Sequence, residues 1–152
     1  MDESEQRLAR LEKIEAAKAA LGRYARACDA KDVSRLAADV FTADVVLHVP
    51  GTDYHGVEDV AAFYRGAFDA APGTRRHFLT NHIAEVNPAG EVEMDSYFFF
   101  VSAEDQSVIG WGSYRDVIVV DGGRARVQEK TIVLDMHTTI DAGWAMAAVA
   151  GS

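Results

Sequence analysis

The second half of the chain contains four long strand candidates, each joined to the next by a few residues typical of turns. They are Thr74–Ile83, Glu91–Ser102, Val108–Val120 and Arg124–Asp135. Links this short join neighbouring strands as hairpins, so we expect the four strands to form one antiparallel sheet. Helical patterns precede these strands rather than alternating with them. The sequence therefore predicts an α+β fold.

The first half predicts the helices that cover this sheet. Apolar residues at helical spacing predict helices over Ser4–Cys28, Val33–Val40 and Gly56–Ala71, with Ser4 as the first cap. The apolar positions of the first helix are Leu8, Leu11, Ile14, Ala17, Leu21 and Ala25. Between the second and third helices, Asp44–Val49 and Thr52–His55 are predicted to be strands.

Length and charge restrict the class of protein. A chain of 152 residues, 49% of them hydrophobic, is long enough for one domain with a core, which we place at residues 1–137. Residues 138–152 form a small, apolar tail that is either disordered, covers a cavity or reaches a partner. The net charge of −9 argues against nucleic acid and anionic membranes as partners.

Membrane and export signals are not found in the sequence. No apolar run reaches the ~20 residues that span a bilayer, and the charged N-terminus does not match a signal peptide. A single cysteine, Cys28, excludes an internal disulfide and a cysteine metal cluster. We therefore expect a soluble cytoplasmic protein.

Two features predict a curved sheet with apolar side chains on both faces. The run Tyr97–Val101 places large apolar groups on both sides, and Gly110 and Gly112 lie in mid-strand, where glycine indicates a bend, a bulge or a close approach. One face should pack on the helices. The other face should pack on a second subunit, so a homodimer or higher homo-oligomer is expected.

The strand that begins at Thr74 carries polar groups on a face that we expect to be buried. Strict alternation would place these residues on one side: His77, Leu79, Asn81 and Ile83. A buried histidine or amide needs a partner, because an unsatisfied polar group costs about 1–3 kcal/mol.

An aspartate at the end of the first helix is a candidate partner for this strand. Asp29 follows Tyr24 and Cys28 at the C-terminus of the helix, where a carboxylate opposes the helix dipole. Asp32 is placed to cap the next helix, so Asp29 is left without a local structural role.

Four segments resemble the SnoaL-like branch of the NTF2-like superfamily, nearest to its His–Asp dehydratase and dehydrochlorinase group. They are RYARACDAKDVSRLAADVFTADVVLHVPG, GVEDVAAFYRGAF, TRRHFLTNHIAEV and GSYRDVIVVDGGRARV. The resemblance covers most of the chain and implies a cone, in which a strongly bent sheet wraps around three helices and encloses a pocket. It places the group's aspartate at Asp29, its histidine at His77, and two tyrosines at Tyr24 and Tyr114.

The resulting hypothesis is a proton-transfer enzyme without a cofactor. Asp29 would accept the Nδ1–H of His77 and leave Nε2 as a base, while Tyr24 and Tyr114 would polarise the substrate. The reaction would eliminate water from a cyclic, polyketide- or steroid-like small molecule. The same step could instead serve an isomerase or cyclase, or the domain could be a non-catalytic ligand-binding or structural one. No spacing of histidines, acids and the cysteine matches a metal site.

Several other residues are weaker candidates for substrate binding. Trp111 would stack on a flat ligand or pack in the core, and His48 would line the pocket or lie in the core or at the surface. Tyr54 would rim the pocket mouth, and Asn81 would line the pocket or bond a neighbouring strand. Lys130 would meet an acidic substrate group or lie on a solvated face.

Overall fold

The structure, a computed structural model, describes residues 2–103 and 107–140. The helical elements are α1 (Glu3–Asp29), α2 (Val33–Arg35), a π-helical segment (Leu36–Val40) and α3 (Val57–Ala70). The strands are β1 (Phe41–Val49), β2 (Thr52–His55), β3 (Thr74–Val86), β4 (Val92–Ala103), β5 (Ser107–Asp121) and β6 (Arg124–Thr139). Helices packed on a curved, unclosed six-stranded sheet confirm the predicted α+β class.

The sheet has the strand order β2-β1-β6-β5-β4-β3. Strands β3 to β6 pair antiparallel with their sequence neighbours, which confirms the predicted hairpins. Strand β1 pairs antiparallel with β2 but parallel with β6, so the sheet is mixed. This parallel contact brings the two halves of the chain into one sheet.

The cap of helix α1 lies two residues before the predicted cap, Ser4. Asp2 is the N-cap: its side chain accepts the N–H of Glu5 (2.9 Å), and the Glu5 carboxylate accepts the N–H of Asp2 (2.8 Å). This reciprocal capping box satisfies two backbone donors, so Asp2 rather than Ser4 is the cap. Leu8 and Leu11 are exposed, and full burial begins at Ala17. The predicted apolar face is therefore buried only in the C-terminal part of the helix.

The inner face of the sheet meets the helices and forms the core. The large side chains buried there include Leu21, Tyr24, Leu36, Phe41, Leu47, Val60, Met94, Ile118 and Val127. The outer face leaves four large apolar side chains exposed, namely Phe78, Ile83, Tyr97 and Val133.

A bulge in β3 overturns the predicted alternation. Asn81 has φ +55°, and the pairing with β4 shifts between Thr80 and Ile83. The extra residue reverses the direction of the side chains that follow. His77 and Leu79 are half-buried as expected, but Asn81 and Ile83 are exposed, and His82 is half-buried instead.

The two mid-strand glycines of β5 allow aromatic rings of β4 to approach the backbone. A Cβ at Gly110 would lie 2.5 Å from Phe100 Cε1, and one at Gly112 would lie 2.8 Å from Phe98 Cζ and clash with the Val133 carbonyl oxygen. Of the three predicted explanations for glycine, close approach is thus observed at both positions.

Strand β6 extends beyond the predicted end of the domain. Thr138 and Thr139 pair with Ile109 and Val108, two residues past the predicted boundary. The rest of the predicted tail, residues 141–152, lies outside the described residues. None of the helices in the described part of the chain is long and apolar enough to cross a membrane.

Candidate active site

Asp29 and His77 form a direct hydrogen-bonded pair between α1 and β3. One carboxylate oxygen, Asp29 Oδ1, lies 2.7 Å from His77 Nδ1 and also accepts the backbone N–H of His77 (3.0 Å). The two side chains are only 12% and 11% exposed. Because a carboxylate only accepts, Nδ1 must carry the hydrogen. Nε2 has no hydrogen-bond partner among residues 2–103 and 107–140.

The fold places this pair by ending α1 beside β3. Asp29 is the last residue of the helix, and the chain turns immediately afterwards through Lys31, whose φ is +55°. The next carboxylate, Asp32, caps α2 by accepting the N–H of Arg35 (2.9 Å). Asp29 therefore does not cap a helix, and its carboxylate hydrogen-bonds His77 instead.

The protonation of His77 reflects two opposing influences. Burial lowers the pKa of His77 below the ordinary value, and the charges of Arg75 and Lys130 act in the same direction. The hydrogen bond and charge of Asp29 raise it, but the net direction is downward. The ring is therefore neutral at neutral pH, and Nε2 carries a lone pair suited to accept a proton.

In the core, Tyr24 contacts two other buried tyrosines, Tyr64 and Tyr114. The hydroxyls of Tyr24 and Tyr64 are 3.0 Å apart, and the Tyr24 ring contacts the Tyr114 ring edge-on at 5.7 Å. Burial raises the pKa of all three hydroxyls well above the ordinary value. Burial also raises the pKa of the neighbouring Cys28 to about 12. These groups are thus neutral hydrogen-bond donors rather than bases.

Lys130 lies beneath the tyrosines and is fully buried. Its Nζ donates to both carboxylate oxygens of Asp116 (3.0 and 3.3 Å), and both side chains have no exposed surface. The same Nζ lies 3.6 Å from the ring centre of Tyr114 and 4.2 Å from that of Tyr24. Lys130 was predicted to lie on a solvated face or to meet an acidic substrate group. The structure instead buries it in the core, where its partner is Asp116.

A row of nearly parallel rings extends from His77 along the inner face. The Phe100 ring lies 5.8 Å from the His77 ring and 6.1 Å from the His137 ring, with interplanar angles of 33° and 25°. Phe98 continues the row, stacked on Tyr114 at 4.3 Å.

The weaker candidates for substrate binding lie away from His77. Trp111 pairs with Phe99 and alternates with the inward Gly110 and Gly112, so it lies on the outer face. His48 also points outward, between Asp53 (2.8 Å) and Glu129 (3.3 Å).

Two more candidates are likewise engaged elsewhere. Asn81 is exposed at the bulge, where its side-chain oxygen accepts the hydroxyl hydrogen of Thr80 (2.7 Å). Tyr54 packs on Phe63 at 4.9 Å. Of the predicted set, the structure thus joins Asp29 to His77 by a hydrogen bond and packs Tyr24 against Tyr114.

A depression on the outer face does not include His77. It has a volume of about 540 Å³ and is bordered by Asn81, Ile83, Tyr97, Arg115 and Val133, among others. Asn81 and Ile83 lie at the bulge of β3. The lining of the depression contains no histidine, and its one carboxylate, Asp95, is paired with Arg115 (3.0 Å), so the Asp29–His77 pair is the better candidate for proton transfer. Within the described residues, no cluster of three or more histidines, cysteines or acids could hold a metal ion.

Three members of the site escape prediction from the sequence. Tyr64 and Phe100 look like ordinary apolar residues of a helix and a strand, and His137 looks like a polar residue near a strand end. A usable signal is the spacing of two sequence pairs, since Phe98 and Phe100 are two residues apart, as are Gly112 and Gly110. A hairpin aligns each phenylalanine with a glycine.

The fold and site define a small α+β domain with an inward-facing His–Asp pair. The sequence matches the SnoaL-like domain family over residues 9–131, and the chain belongs to that family. A search of curated proteins finds no match.

Solved structures share this fold. A proposed scytalone dehydratase from Novosphingobium aromaticivorans is 19% identical, with a TM-score of 0.75 over 84% of this chain and 87% of that one. The type 2 hexachlorocyclohexane dehydrochlorinase LinA is 18% identical, with a TM-score of 0.77 over 87% and 91%. A proposed aromatic ring hydroxylase from N. aromaticivorans is 22% identical, with a TM-score of 0.74 over 85% and 94%.

Proposed function

We propose that this protein is a cofactor-independent lyase that eliminates water from a cyclic small molecule, with His77 as the base and Asp29 as its orienting acid. The observation that carries the proposal is the 2.7 Å bond between Asp29 Oδ1 and His77 Nδ1, while the other ring nitrogen has no hydrogen-bond partner among the described residues. The dehydratase and dehydrochlorinase names of the structural neighbours agree with an elimination.

The proposed reaction needs only one group to move the proton. Nε2 of His77 removes a proton from a carbon next to a carbonyl, and Asp29 stabilises the imidazolium that forms. The electron pair left on carbon becomes the new double bond as the β-hydroxyl departs. The imidazolium returns its proton to that hydroxyl, which leaves as water. Because the same nitrogen serves both steps, the hydrogen and the hydroxyl leave from the same face.

Neutral phenols are proposed to stabilise the enolate oxygen that develops during this step. Their raised pKa values keep Tyr24 and Tyr114 protonated, and a donor aimed at such an oxygen lowers a barrier by about 3 kcal/mol in comparable sites. Tyr24 already contacts the Tyr64 hydroxyl. A substrate oxygen that binds Tyr24 must therefore replace or join Tyr64 as its partner.

The test is incubation with a panel of cyclic β-hydroxy ketones, followed by mass spectrometry for loss of water. We expect the wild type to dehydrate at least one of them and His77→Gln to be inactive while remaining folded. His55→Gln is the matched control, because His55 is an exposed histidine on β2. A product of unchanged mass would indicate isomerisation instead, and equal rates in wild type and His77→Gln would exclude the dyad.

The exposed outer face supports a proposal about assembly. Ile83 and Tyr97 are 70% and 59% exposed on neighbouring strands, and Phe78 and Val133 enlarge the same apolar surface. We propose that a second copy of the chain packs there, forming a homodimer. Light scattering should give the mass of a dimer for the wild type and of a monomer for Ile83→Lys. A monomeric wild type would exclude this assembly.

A further inference from the structure

We propose that His137 is a second recognition group of the same site, which hydrogen-bonds an oxygen of a planar, fused-ring ligand at the end remote from His77. The proposal rests on the proposed function only for the location of the site. It adds a residue, and it specifies the shape and polarity of the ligand.

Strand register places His137 in one cross-strand row with His77. His77 pairs with Phe100, Phe100 with Gly110, and Gly110 with His137. Residues directly opposite each other on neighbouring strands point to the same face of a sheet. The row therefore crosses four strands and carries an imidazole at each end.

The centre of the row is aromatic. Phe100 is within 33° of parallel to both imidazoles, and it lies 6.4 Å from Phe98 at an angle of 23°. Gly110 makes this arrangement possible, because a side chain there would occupy the place of the Phe100 ring. A row of nearly parallel rings suits a planar conjugated ligand better than a puckered one, since offset stacking needs two flat faces.

This end of the inner face is exposed to solvent, whereas the other end is covered by the helices. His137 is exposed, and Leu134 on the same face is 46% exposed. Farther along the row of rings, Phe98 and Tyr114 are buried under the helices. A ligand that reaches His77 from the exposed end would therefore pass over Phe100 and lie beside His137.

The chemistry of His137 suits an oxygen of the ligand. An imidazole can donate to a carbonyl or accept from a hydroxyl. In the described part of the chain, the ring makes no hydrogen bond and only stacks on Phe100. Its two nitrogens are therefore available to a polar group of the ligand. That group would lie on the part of the fused-ring ligand that extends past Phe100, away from His77. A single small ring over Phe100 could not contact both imidazoles.

The experiment compares binding of two flat probes that cannot undergo elimination. The probes are 2,6-dihydroxynaphthalene and naphthalene, tested with wild type, His137→Phe and the control His55→Gln. Phenylalanine keeps a ring against Phe100 but lacks the nitrogens. We expect His137→Phe to bind dihydroxynaphthalene about tenfold more weakly, the loss of one hydrogen bond, and naphthalene unchanged. In wild type, dihydroxynaphthalene should shift the ring nitrogen resonances of both His77 and His137.

The outcomes separate this proposal from the proposed function. Equal affinity of wild type and His137→Phe for dihydroxynaphthalene would overturn it, as would the absence of saturable binding to wild type. If His137→Phe lost the same affinity for both probes, His137 would shape the surface without hydrogen-bonding an oxygen. This result would also overturn the proposal. A failed dehydration assay leaves these binding results intact, because neither probe has a leaving group.

Discussion

Asp29 Oδ1 accepts two hydrogen bonds from one residue, the backbone N–H and the ring Nδ1–H of His77. The first bond fixes the strand against the helix end, and the second fixes the rotation and tautomer of the ring. A lone carboxylate at a helix C-terminus, which the helix dipole disfavours, thereby gains a partner on β3. The pair therefore forms at some local cost to the helix.

Asp29→Asn should reduce dehydration about 10²- to 10⁴-fold, because the histidine loses the charge that stabilises its imidazolium, and an amide, which can donate as well as accept, no longer selects one tautomer. Steady-state kinetics on the active substrate would measure the loss, and circular dichroism would check the fold. Activity within a few-fold of wild type would mean that the carboxylate is only a structural anchor for β3.

The acid limb of kcat/KM should lie below the ordinary histidine pKa of about 6.5, because burial lowers the pKa of His77. Activity needs the neutral ring, so it should be full above that limb and fall as the pH drops through it. Asp29 raises this pKa and Lys130 lowers it. The residual activity of Asp29→Asn should therefore show a limb at still lower pH. A limb above the ordinary value would contradict the assignment of the base.

Gly110→Ala should lower the free energy of unfolding by about 1–3 kcal/mol, the usual effect of overpacking a core, since its Cβ would overlap the Phe100 ring. Gly22→Ala is the matched control. Gly22 lies in the middle of α1 with open space around it, and alanine is the better helix former by about 1 kcal/mol. Urea denaturation should thus give opposite signs for the two variants, and equal signs would argue against the tight glycine contact.

Lys130→Met should destabilise the fold by about 3–5 kcal/mol, because it leaves the Asp116 carboxylate buried without a partner. Burial raises the pKa of Asp116 and lowers that of Lys130, and their mutual attraction opposes both shifts. In the double variant Lys130→Met/Asp116→Leu, both charges are replaced by apolar groups, and most of the stability should return. Additive losses in a double-mutant cycle would mean that the two residues do not depend on each other.

His48 should make stability depend on pH at the β1–β2 edge of the sheet. The hydrogen bond to Asp53 raises the pKa of His48, with Glu129 acting in the same direction. A raised pKa in the folded state stabilises the fold below the unfolded value of about 6.5, and this contribution disappears as the pH rises through the folded value. The gap between wild type and His48→Gln should therefore be larger at pH 5.5 than at pH 8.5, measured by thermal unfolding. A gap independent of pH would show that the ion pairs contribute nothing measurable.

The order of helices and hairpins could be predicted from the sequence because turn residues and periodicity are local signals. The parallel pairing of β1 with β6 could not, since nothing in either strand specifies so distant a neighbour. The bulge at Asn81 was also missed. One extra residue in a strand leaves the apolar pattern ambiguous, and the positive φ of Asn81 is only one of several conformations open to asparagine.

Some residues of the candidate site could likewise be predicted from the sequence and others could not. Asp29 could be suspected from its unfavourable position at a helix end, and His77 from the family resemblance. Lys130 was misplaced because a lysine on a strand is normally solvated, and its burial depends on Asp116 directly opposite on β5. The proposed role of His137 could not be predicted from the sequence, because it depends on the cross-strand row and therefore on the register of four strands.

The most direct test of the account is a nitrogen-15 NMR spectrum of the His77 ring in the wild-type protein at neutral pH. We predict a neutral imidazole with its hydrogen on Nδ1, a bare Nε2, and loss of this single tautomer in Asp29→Asn. A hydrogen found on Nε2, or a ring that is charged at that pH, would contradict the claim that Asp29 prepares His77 as a base.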